Sequence, residues 1–247
     1  MGFDVFGASD VGCIRELNED SFKICGFSPT ENSGFCVLAD GMGGHSAGEV
    51  ASQKAVDVVS ESLNGILDEC ERKSLPQIIN RAIEEANSQI YNLAKQDTAK
   101  AGMGTTIVVS CFEPDGAYIA NVGDSRAYAY RNDELYQITR DHSVVEEMVE
   151  NGSITREEAR FHPQKNIITR ALGTDDDTCA DIFEYDYCLG DVLIMCSDGL
   201  SGMVSDREIS YIIKSGKDAK DIVEELIKSA KESGGTDNIT VICIRFI

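Results

Sequence analysis

Six carboxylates stand where apolar segments of the chain end, and together they have the chemistry of a metal site. Asp40 and Asp198 each follow an apolar run directly and precede a glycine. The other four lie in Gly- or Asn-rich loops: Glu19, Asp20, Asp124 and Asp237. Each alone fits a turn or a helix cap, but the Asp-Gly pair recurring after two apolar runs favours a shared site. Oxygen-only ligands suit hard cations, so the pattern predicts magnesium or manganese.

The stretch 35–44 is the clearest of these segments. Five mostly apolar residues run into Asp40, which predicts a buried strand that ends at this carboxylate. A buried carboxylate is costly unless a cation neutralises it. The glycines that follow let the backbone turn sharply and bring bare carbonyl groups close to a bound ion. Ser46 and Glu49 then have the spacing of a capping box, which predicts the start of a helix.

Other metal chemistries and disulfides do not fit the sequence. The three histidines are widely separated, and there is no H-E-x-x-H pattern for zinc. The nine cysteines form no C-x-x-C pair, and several lie inside apolar runs: Cys36, Cys111, Cys196 and Cys243. These are expected to be buried thiols in a reducing compartment.

Charge and hydropathy exclude further classes of function. The chain carries 43 acidic against 22 basic residues, a formal net charge of -21. No cluster of Lys and Arg is present, which argues against nucleic acid as a partner. There is no secretory leader pattern and no apolar run of membrane-spanning length, so no membrane is expected and the predicted location is cytoplasmic.

The elements that position the carboxylates predict an α+β fold. Strands are expected at 3–8, 21–25, 34–39, 105–112, 117–122, 127–131, 135–139, 192–196 and 239–247. The close spacing of the first three suits antiparallel hairpins. Helical apolar stripes run from Ala47 to Leu67 and from Ile78 to Leu93, and shorter helices are expected at 143–150, 155–160, 206–214 and 218–231. Two strand-rich blocks that each end in helices indicate two packed sheets with helices outside.

Eight segments closely resemble the metal-dependent protein phosphatases, also called protein phosphatase 2C. They keep the family's order and span nearly the whole chain: SDVGCIRELNED (9–20), ADGMGGHSAGEVAS (39–52), GTT (104–106), NVGDSRAY (121–128), TRDHS (139–143), HPQKNIITRALG (162–173), CSDGLSGMV (196–204) and GGTDNITV (234–241). The resemblance implies an αββα sandwich of two antiparallel sheets flanked by helices, in one catalytic domain over residues 1–247 with a flap subregion at about 143–165. It also implies hydrolysis of phosphoserine and phosphothreonine in proteins.

Each acidic position takes a role from the resemblance. Asp40 would bridge two ions, with the Gly41 carbonyl on one of them. The remaining ligands would be Asp198 and Asp237 for the first ion, Glu19 for the second, mainly through water, and Asp124 with Asp198 for a third ion as in bacterial members. Asp20 would orient the waters. Arg15 would hold the substrate phosphate, since a guanidinium group forms a planar fork that matches two phosphate oxygens.

The chemistry agrees with this assignment. Two ions about 3.5–4 Å apart can lower the pKa of a water and aim it in line at phosphorus. One departure concerns the leaving group. Many animal members of the family carry a histidine directly after the metal-binding Asp-Gly pair, where this chain has Met42. The proton donor to the leaving oxygen is therefore unassigned, and a metal-bound water is a candidate.

Two other functions remain open on the sequence alone. The string Gly44–Gly48 is a literal G-x-S-x-G, in which Ser46 would be the nucleophile of a serine hydrolase. Against it, the strand ends too early, no histidine follows His162, and the expected hairpins do not suit a parallel sheet. The second alternative is a catalytically weak phosphoprotein-binding module, which a missing metal ligand would mark, but all the expected carboxylates are present.

The expected partners follow from the resemblance to stand-alone bacterial members of the family. They are phosphorylated proteins, including a Ser/Thr kinase that the phosphatase would oppose and the substrates of that kinase. The predicted oligomeric state is a monomer.

Overall fold

The computed structural model describes residues 2–27, 33–43, 47–64, 74–114 and 116–247. The strands are β1 (Phe3–Asp10), β2 (Asp20–Gly26), β3 (Gly34–Met42), β4 (Gly104–Thr105), β5 (Ile107–Glu113), β6 (Gly116–Val122), β7 (Arg126–Arg131), β8 (Glu134–Gln137), β9 (Asp181–Tyr185), β10 (Val192–Cys196) and β11 (Ile239–Phe246). The helices are α1 (Ala47–Asn64), α2 (Leu75–Gln96), α3 (Val144–Glu150), α4 (Arg156–Phe161), α5 (Asp198–Ser201), α6 (Asp206–Ser215) and α7 (Ala219–Glu232).

The strands form two sheets. One has the order β1-β11-β10-β7-β8, and the other has the order β2-β3-β5-β6-β9 with β4 paired to β3. Every pairing between strands of the described ranges is antiparallel. This arrangement confirms the predicted fold class and contradicts the parallel sheet that the serine hydrolase alternative needs.

Three apolar layers hold the sheets and helices together. In β3, Val37 and Ala39 pack on the side of α1 and α2, whereas Cys36 and Leu38 lie in the layer shared with the other sheet. That layer also contains Leu193 of the opposite sheet. A third layer covers the outer face of that sheet with α6 and α7. Because β3 is buried on both faces, its sequence is a continuous apolar run rather than an alternating one.

The first strand corrects one expectation. β2 and β3 form the predicted hairpin, with Phe22 opposite Leu38. β1 does not join them; it pairs with β11 in the other sheet, where Ala8 lies opposite Val241. β1 and β11 lie far apart in the sequence, so no local spacing indicates that they pair.

On either side of β10 the structure has two elements that were not expected from the sequence, β9 and α5. β9 pairs with β6 at the edge of its sheet, and α5 begins directly at Asp198. The helices α3 and α4 lie within residues 143–165, the predicted flap. That this segment forms a separate flap stays a prediction. Ser143 caps α3, and Thr155 with Glu158 forms a complete capping box on α4. No helix in the described ranges combines the length and apolar composition needed to cross a bilayer.

Candidate metal and phosphate site

A cavity of about 160 Å³ lies where β3 ends, and it gathers the predicted site. Seven of the eight predicted residues line it: Arg15, Glu19, Asp40, Gly41, Asp124, Asp198 and Asp237. The eighth, Asp20, is only 8% exposed and pairs with Asp40 across the first rung of the β2–β3 hairpin. Carboxylates that lie up to 218 residues apart in sequence thus share one small volume.

Two threonines fix the backbone of Asp40. The Asp40 amide N–H donates to Thr106 Oγ1 at 3.0 Å, and its carbonyl accepts from the Thr106 amide at 2.9 Å. Thr105 Oγ1 donates to the same carbonyl at 2.8 Å. Residue 106 interrupts the predicted strand 105–112 between β4 and β5, because its backbone and hydroxyl turn towards Asp40 instead of continuing the ladder.

Glycines allow Glu19 and Asp40 to approach each other. The Gly41 amide donates to the Glu19 carbonyl at 3.0 Å, and a Cβ at Gly41 would collide with the carbonyl oxygens of Glu19 and Gly48. A Cβ at Gly48 would collide with Glu19 Oε1. Gly48 lies in the first turn of α1, so the carboxylate of Glu19 rests against the amino end of an 18-residue helix, where anions are stabilised.

The loop that carries Arg15 and Glu19 is held by Asn238. The Asn238 side chain donates to the carbonyl groups of Val11 at 3.0 Å and Leu17 at 2.9 Å. Its Oδ1 accepts from the Glu19 amide at 2.8 Å. A single amide therefore ties both ends of the loop to the start of β11, immediately beside Asp237.

Arg15 forms an ion pair with Asp237 in this structure. Arg15 Nη2 lies 2.7 Å from Asp237 Oδ2, and the two side chains are 48% and 32% exposed. From the sequence, Arg15 was assigned only to phosphate and Asp237 only to metal, so their direct pairing is a new finding. It places the guanidinium group at the mouth of the cavity that Asp40 and Asp198 line.

The carboxylates repel one another at this site. Burial, followed by the charge of Asp198, raises the pKa of Asp124 to about 8. Burial and the neighbouring Asp237 raise the pKa of Asp198 to about 6. Burial raises the pKa of Asp20 to about 7, although hydrogen bonds from Thr240 and Ser197 oppose the rise. The pKa of Asp40 is also raised well above its usual range, first by burial and then by Asp20.

These residues fit a hard cation. Glu19 Oε1 and Asp20 Oδ1 are buried oxygen atoms without a hydrogen-bond partner among the described residues, and such orphaned acceptors are costly unless a cation or water satisfies them. In the part of the chain that the structure describes, no three acidic, histidine or cysteine side chains already surround a common metal position. Arg15 instead neutralises Asp237, so a cation at Asp237 must compete with this guanidinium group.

The structure also shows residues that the sequence analysis missed. Thr106, Asn166 and Ile168 line the same cavity. The GTT and HPQKNIITRALG segments contain them, so the signal was present but no role was attached to it. A larger cavity of about 520 Å³ shares Asp124, Asn166 and Asp198 with the first and extends beneath α3 and α4. Residues of α3 and α4, within the predicted flap, therefore line a cavity that reaches the acidic cluster.

Two expectations concern residues 41–48. Met42 lines the cavity, and no histidine is among the described residues that line it, so the proton donor stays unassigned. Ser46, the nucleophile of the serine hydrolase alternative and the expected helix cap, lies outside the described residues.

Comparison with known proteins defines the class of this protein. The sequence model of the family described as protein phosphatase 2C matches residues 15–240. The serine/threonine phosphatase stp of Listeria welshimeri is 39% identical over 236 residues, which cover 96% of this chain and 93% of that protein. The structure of Stp1 from Staphylococcus aureus superposes with a TM-score of 0.94 at 36% identity and covers 100% of this chain and 96% of that one.

A solved structure in the same class contains metal. The catalytic domain of the phosphatase PstP in complex with two manganese ions superposes with a TM-score of 0.84 at 34% identity, covering 98% of this chain and 97% of that one. The fold is that of the phosphoprotein phosphatases built as a sandwich of two sheets. The chain belongs to the protein phosphatase 2C family. This membership confirms the predicted family, its fold and its class of activity, that of a serine/threonine phosphatase.

Proposed function

We propose that the acidic cavity is the active site of a metal-dependent phosphatase that removes phosphate from phosphoserine and phosphothreonine in proteins. The observation that supports it most is the convergence of five carboxylates and one guanidinium group on a single cavity of about 160 Å³. Asp40, Glu19, Asp198 and Asp237 would hold two Mn²⁺ or Mg²⁺ ions, together with the Gly41 carbonyl. Asp124 and Asp198 would hold a third.

The protein's own groups have distinct tasks in this proposal. When bound, the two ions would lower the pKa of a water for in-line attack on phosphorus. Arg15 would bind two phosphate oxygens, exchanging its contact with Asp237 Oδ2 for the substrate. Asp20 would accept hydrogen bonds from the waters beside Asp40. The neighbouring cavity of about 520 Å³ would take the polypeptide around the phosphorylated residue, because it opens from the acidic cluster under α3 and α4.

The proposed setting is a cytoplasmic monomer. Its partners would be a Ser/Thr kinase and the substrates of that kinase. The relatives named as serine/threonine phosphatases support phosphoproteins as the class of substrate.

The test is phosphate release from phosphoserine and phosphothreonine peptides. We expect turnover with Mn²⁺, loss of turnover in EDTA and recovery when Mn²⁺ is restored. Asp40→Asn and Asp198→Asn should each abolish turnover while circular dichroism stays unchanged, because each removes an ionic ligand. Asp177→Asn, which neutralises an exposed carboxylate in the loop before β9, is the matched control and should retain activity. Full turnover in EDTA would contradict the metal mechanism, and a folded, metal-binding but inactive wild-type protein would favour the binding module.

A further inference from the structure

A chain of side-chain hydrogen bonds ends on the carboxylate of Asp20. Asp20 Oδ2 accepts from Thr240 Oγ1 at 2.6 Å and from Ser197 Oγ at 2.8 Å. Thr240 Oγ1 lies 2.7 Å from Ser9 Oγ, which in turn accepts from Asn18 Nδ2 at 2.7 Å. The chain therefore crosses from the Arg15 loop through β1 and β11 to the start of β2.

The direction of every bond in this chain is determined by its ends. An ionised carboxylate only accepts, and an amide nitrogen only donates. Asn18 Oδ1 accepts from the Asp20 amide at 3.2 Å, which fixes the orientation of the Asn18 side chain. Because the hydroxyl of Thr240 donates to Asp20, its oxygen accepts from Ser9, whose own oxygen accepts from Asn18. Each donor in the chain thus points towards Asp20.

Aligned hydrogen bonds of this kind strengthen one another, and bonds to a charged acceptor are the strong ones. Here the chain from Asn18 and the separate bond from Ser197 both end on one oxygen atom, Asp20 Oδ2. Asp20 Oδ2 is satisfied by two hydroxyl groups, while Oδ1 is buried and has no partner among the described residues. The described residues therefore hold the carboxylate through Oδ2 only, and Oδ1 is left free to accept a further hydrogen bond.

We propose that Thr240 and Ser197 are positioning residues for the phosphatase reaction, supported from behind by Ser9 and Asn18. They fix Asp20 through Oδ2 so that Oδ1 presents a lone pair to the water next to Asp40. The chain also links Asp20 to the loop of Arg15, since Asn18 belongs to that loop. This inference rests on the function proposed above, in which Asp20 orients the reacting waters.

The test compares Thr240→Val with Thr240→Ser. Valine keeps the volume and removes the hydroxyl, whereas serine keeps the hydroxyl and removes a methyl group. We expect Thr240→Val to lower kcat roughly 10- to 100-fold and to weaken Mn²⁺ binding in calorimetry by about tenfold or more, the usual range for groups that orient a metal site. KM for a phosphopeptide should stay within about twofold because Arg15 is untouched. Thr240→Ser should restore most of kcat and of the Mn²⁺ affinity.

Ser60→Ala provides the matched control. Ser60 in α1 is fully buried, and its hydroxyl has no hydrogen-bond partner among the described residues. It therefore reports the effect of deleting a buried hydroxyl without touching the chain to Asp20. Ser60→Ala should leave kcat, KM and Mn²⁺ affinity at wild-type values. A folded Thr240→Val protein with wild-type kcat and Mn²⁺ affinity would overturn the proposal, as would a Thr240→Ser protein that is as impaired as the valine variant.

Two further variants keep the result decisive. If Thr240→Val does not fold, Ser9→Ala removes the next hydroxyl from a half-buried position; a several-fold loss of kcat supports the proposal, and an unchanged kcat overturns it. Asp20→Asn separates this inference from the proposed function. If Asp20→Asn keeps wild-type kcat, the proposed role of Asp20 is wrong. If Asp20→Asn is inactive and Thr240→Val is normal, only the positioning role is wrong.

Discussion

Replacement of Arg15 by alanine tests both the phosphate site and the competition at Asp237. In the structure the guanidinium group makes its ion pair with Asp237 at 2.7 Å while about half of the side chain is exposed. Exposed ion pairs contribute roughly 0–1 kcal/mol to stability. The fold should therefore survive the substitution, and any large effect on turnover must come from the site itself.

The expected loss follows from the bonds that Arg15 would make to phosphate. Hydrogen bonds to charged groups contribute about 1.5–3 kcal/mol, which corresponds to a loss of roughly tenfold to a hundredfold in kcat/KM. KM for phosphopeptides should rise, and kcat should fall as well if Arg15 stabilises charge in the transition state. Arg15→Lys should recover only part of the loss, because an ammonium group lacks the planar fork.

The contact with Asp237 adds a second expectation: Arg15→Ala should lower kcat/KM but should not lower the affinity for Mn²⁺. Without Arg15, no guanidinium group competes for Asp237 Oδ2, so calorimetry of the metal-free variant should show Mn²⁺ affinity that is equal to or higher than that of the wild type. Steady-state kinetics on a phosphopeptide at saturating Mn²⁺ provides the other half of the assay. Arg81→Ala, which removes an exposed arginine of α2, should match the wild type in both. An unaltered kcat/KM, or weaker Mn²⁺ binding in Arg15→Ala, would refute the reasoning.

Two further expectations concern the acidic cluster. Asp124→Ala should impair turnover while two Mn²⁺ ions still bind, because Asp124 serves only the proposed third ion; loss of those two ions in calorimetry or in a crystal structure of the variant would count against this assignment. In metal-free protein, burial raises the pKa of Asp20 to about 7 and that of Asp124 to about 8, so the folded state binds more protons than the unfolded chain at neutral pH. The stability that these groups contribute is therefore lost as pH rises, and Tm should fall by a few degrees between about pH 6.5 and 8.5. Burial lowers the pKa of His142, which therefore adds stability as pH rises through the unfolded value of about 6.5 and opposes the fall of Tm only in the lower part of this range. Saturating Mn²⁺ should reduce the slope, and a Tm that rises steadily in metal-free buffer over this range would contradict the repulsion inferred here.

Local sequence patterns were sufficient for most individual elements. The run that ends at Cys196 gave β10 with its observed bounds. The helices α6 and α7 begin within one residue of their expected starts, and Ser205 and Asp218 cap them. The turn at Asn132 and Asp133 joins β7 to β8 between the two strands expected at 127–131 and 135–139, with both residues at positive φ of 54° and 67°. These features depend on neighbours within a few residues, so the sequence contains their physical cause directly.

Features that depend on distant partners were missed or misplaced. β9 was not among the expected strands, and it pairs with the distant strand β6 at the edge of its sheet. β1 looked like the start of a hairpin but pairs with β11. Thr106 leaves the strand because Asp40 and Ser125 provide partners for its hydroxyl. In each case a tertiary contact overrides the local preference.

The sequence by itself determined which residue types were available for chemistry and that each carboxylate follows a strand or a turn. It also identified the family, through short strings in a fixed order. Only the tertiary structure decided how these carboxylates come together and that Arg15 pairs with Asp237. Arg15 and Asp237 are 222 positions apart, and Asp20 and Thr240 are 220 apart. Both pairs meet because β11 pairs with β1 in one sheet, and that sheet packs against the sheet that contains β2. Burial in that shared interior raises the pKa values of the acids, and no single segment of the sequence contains that environment.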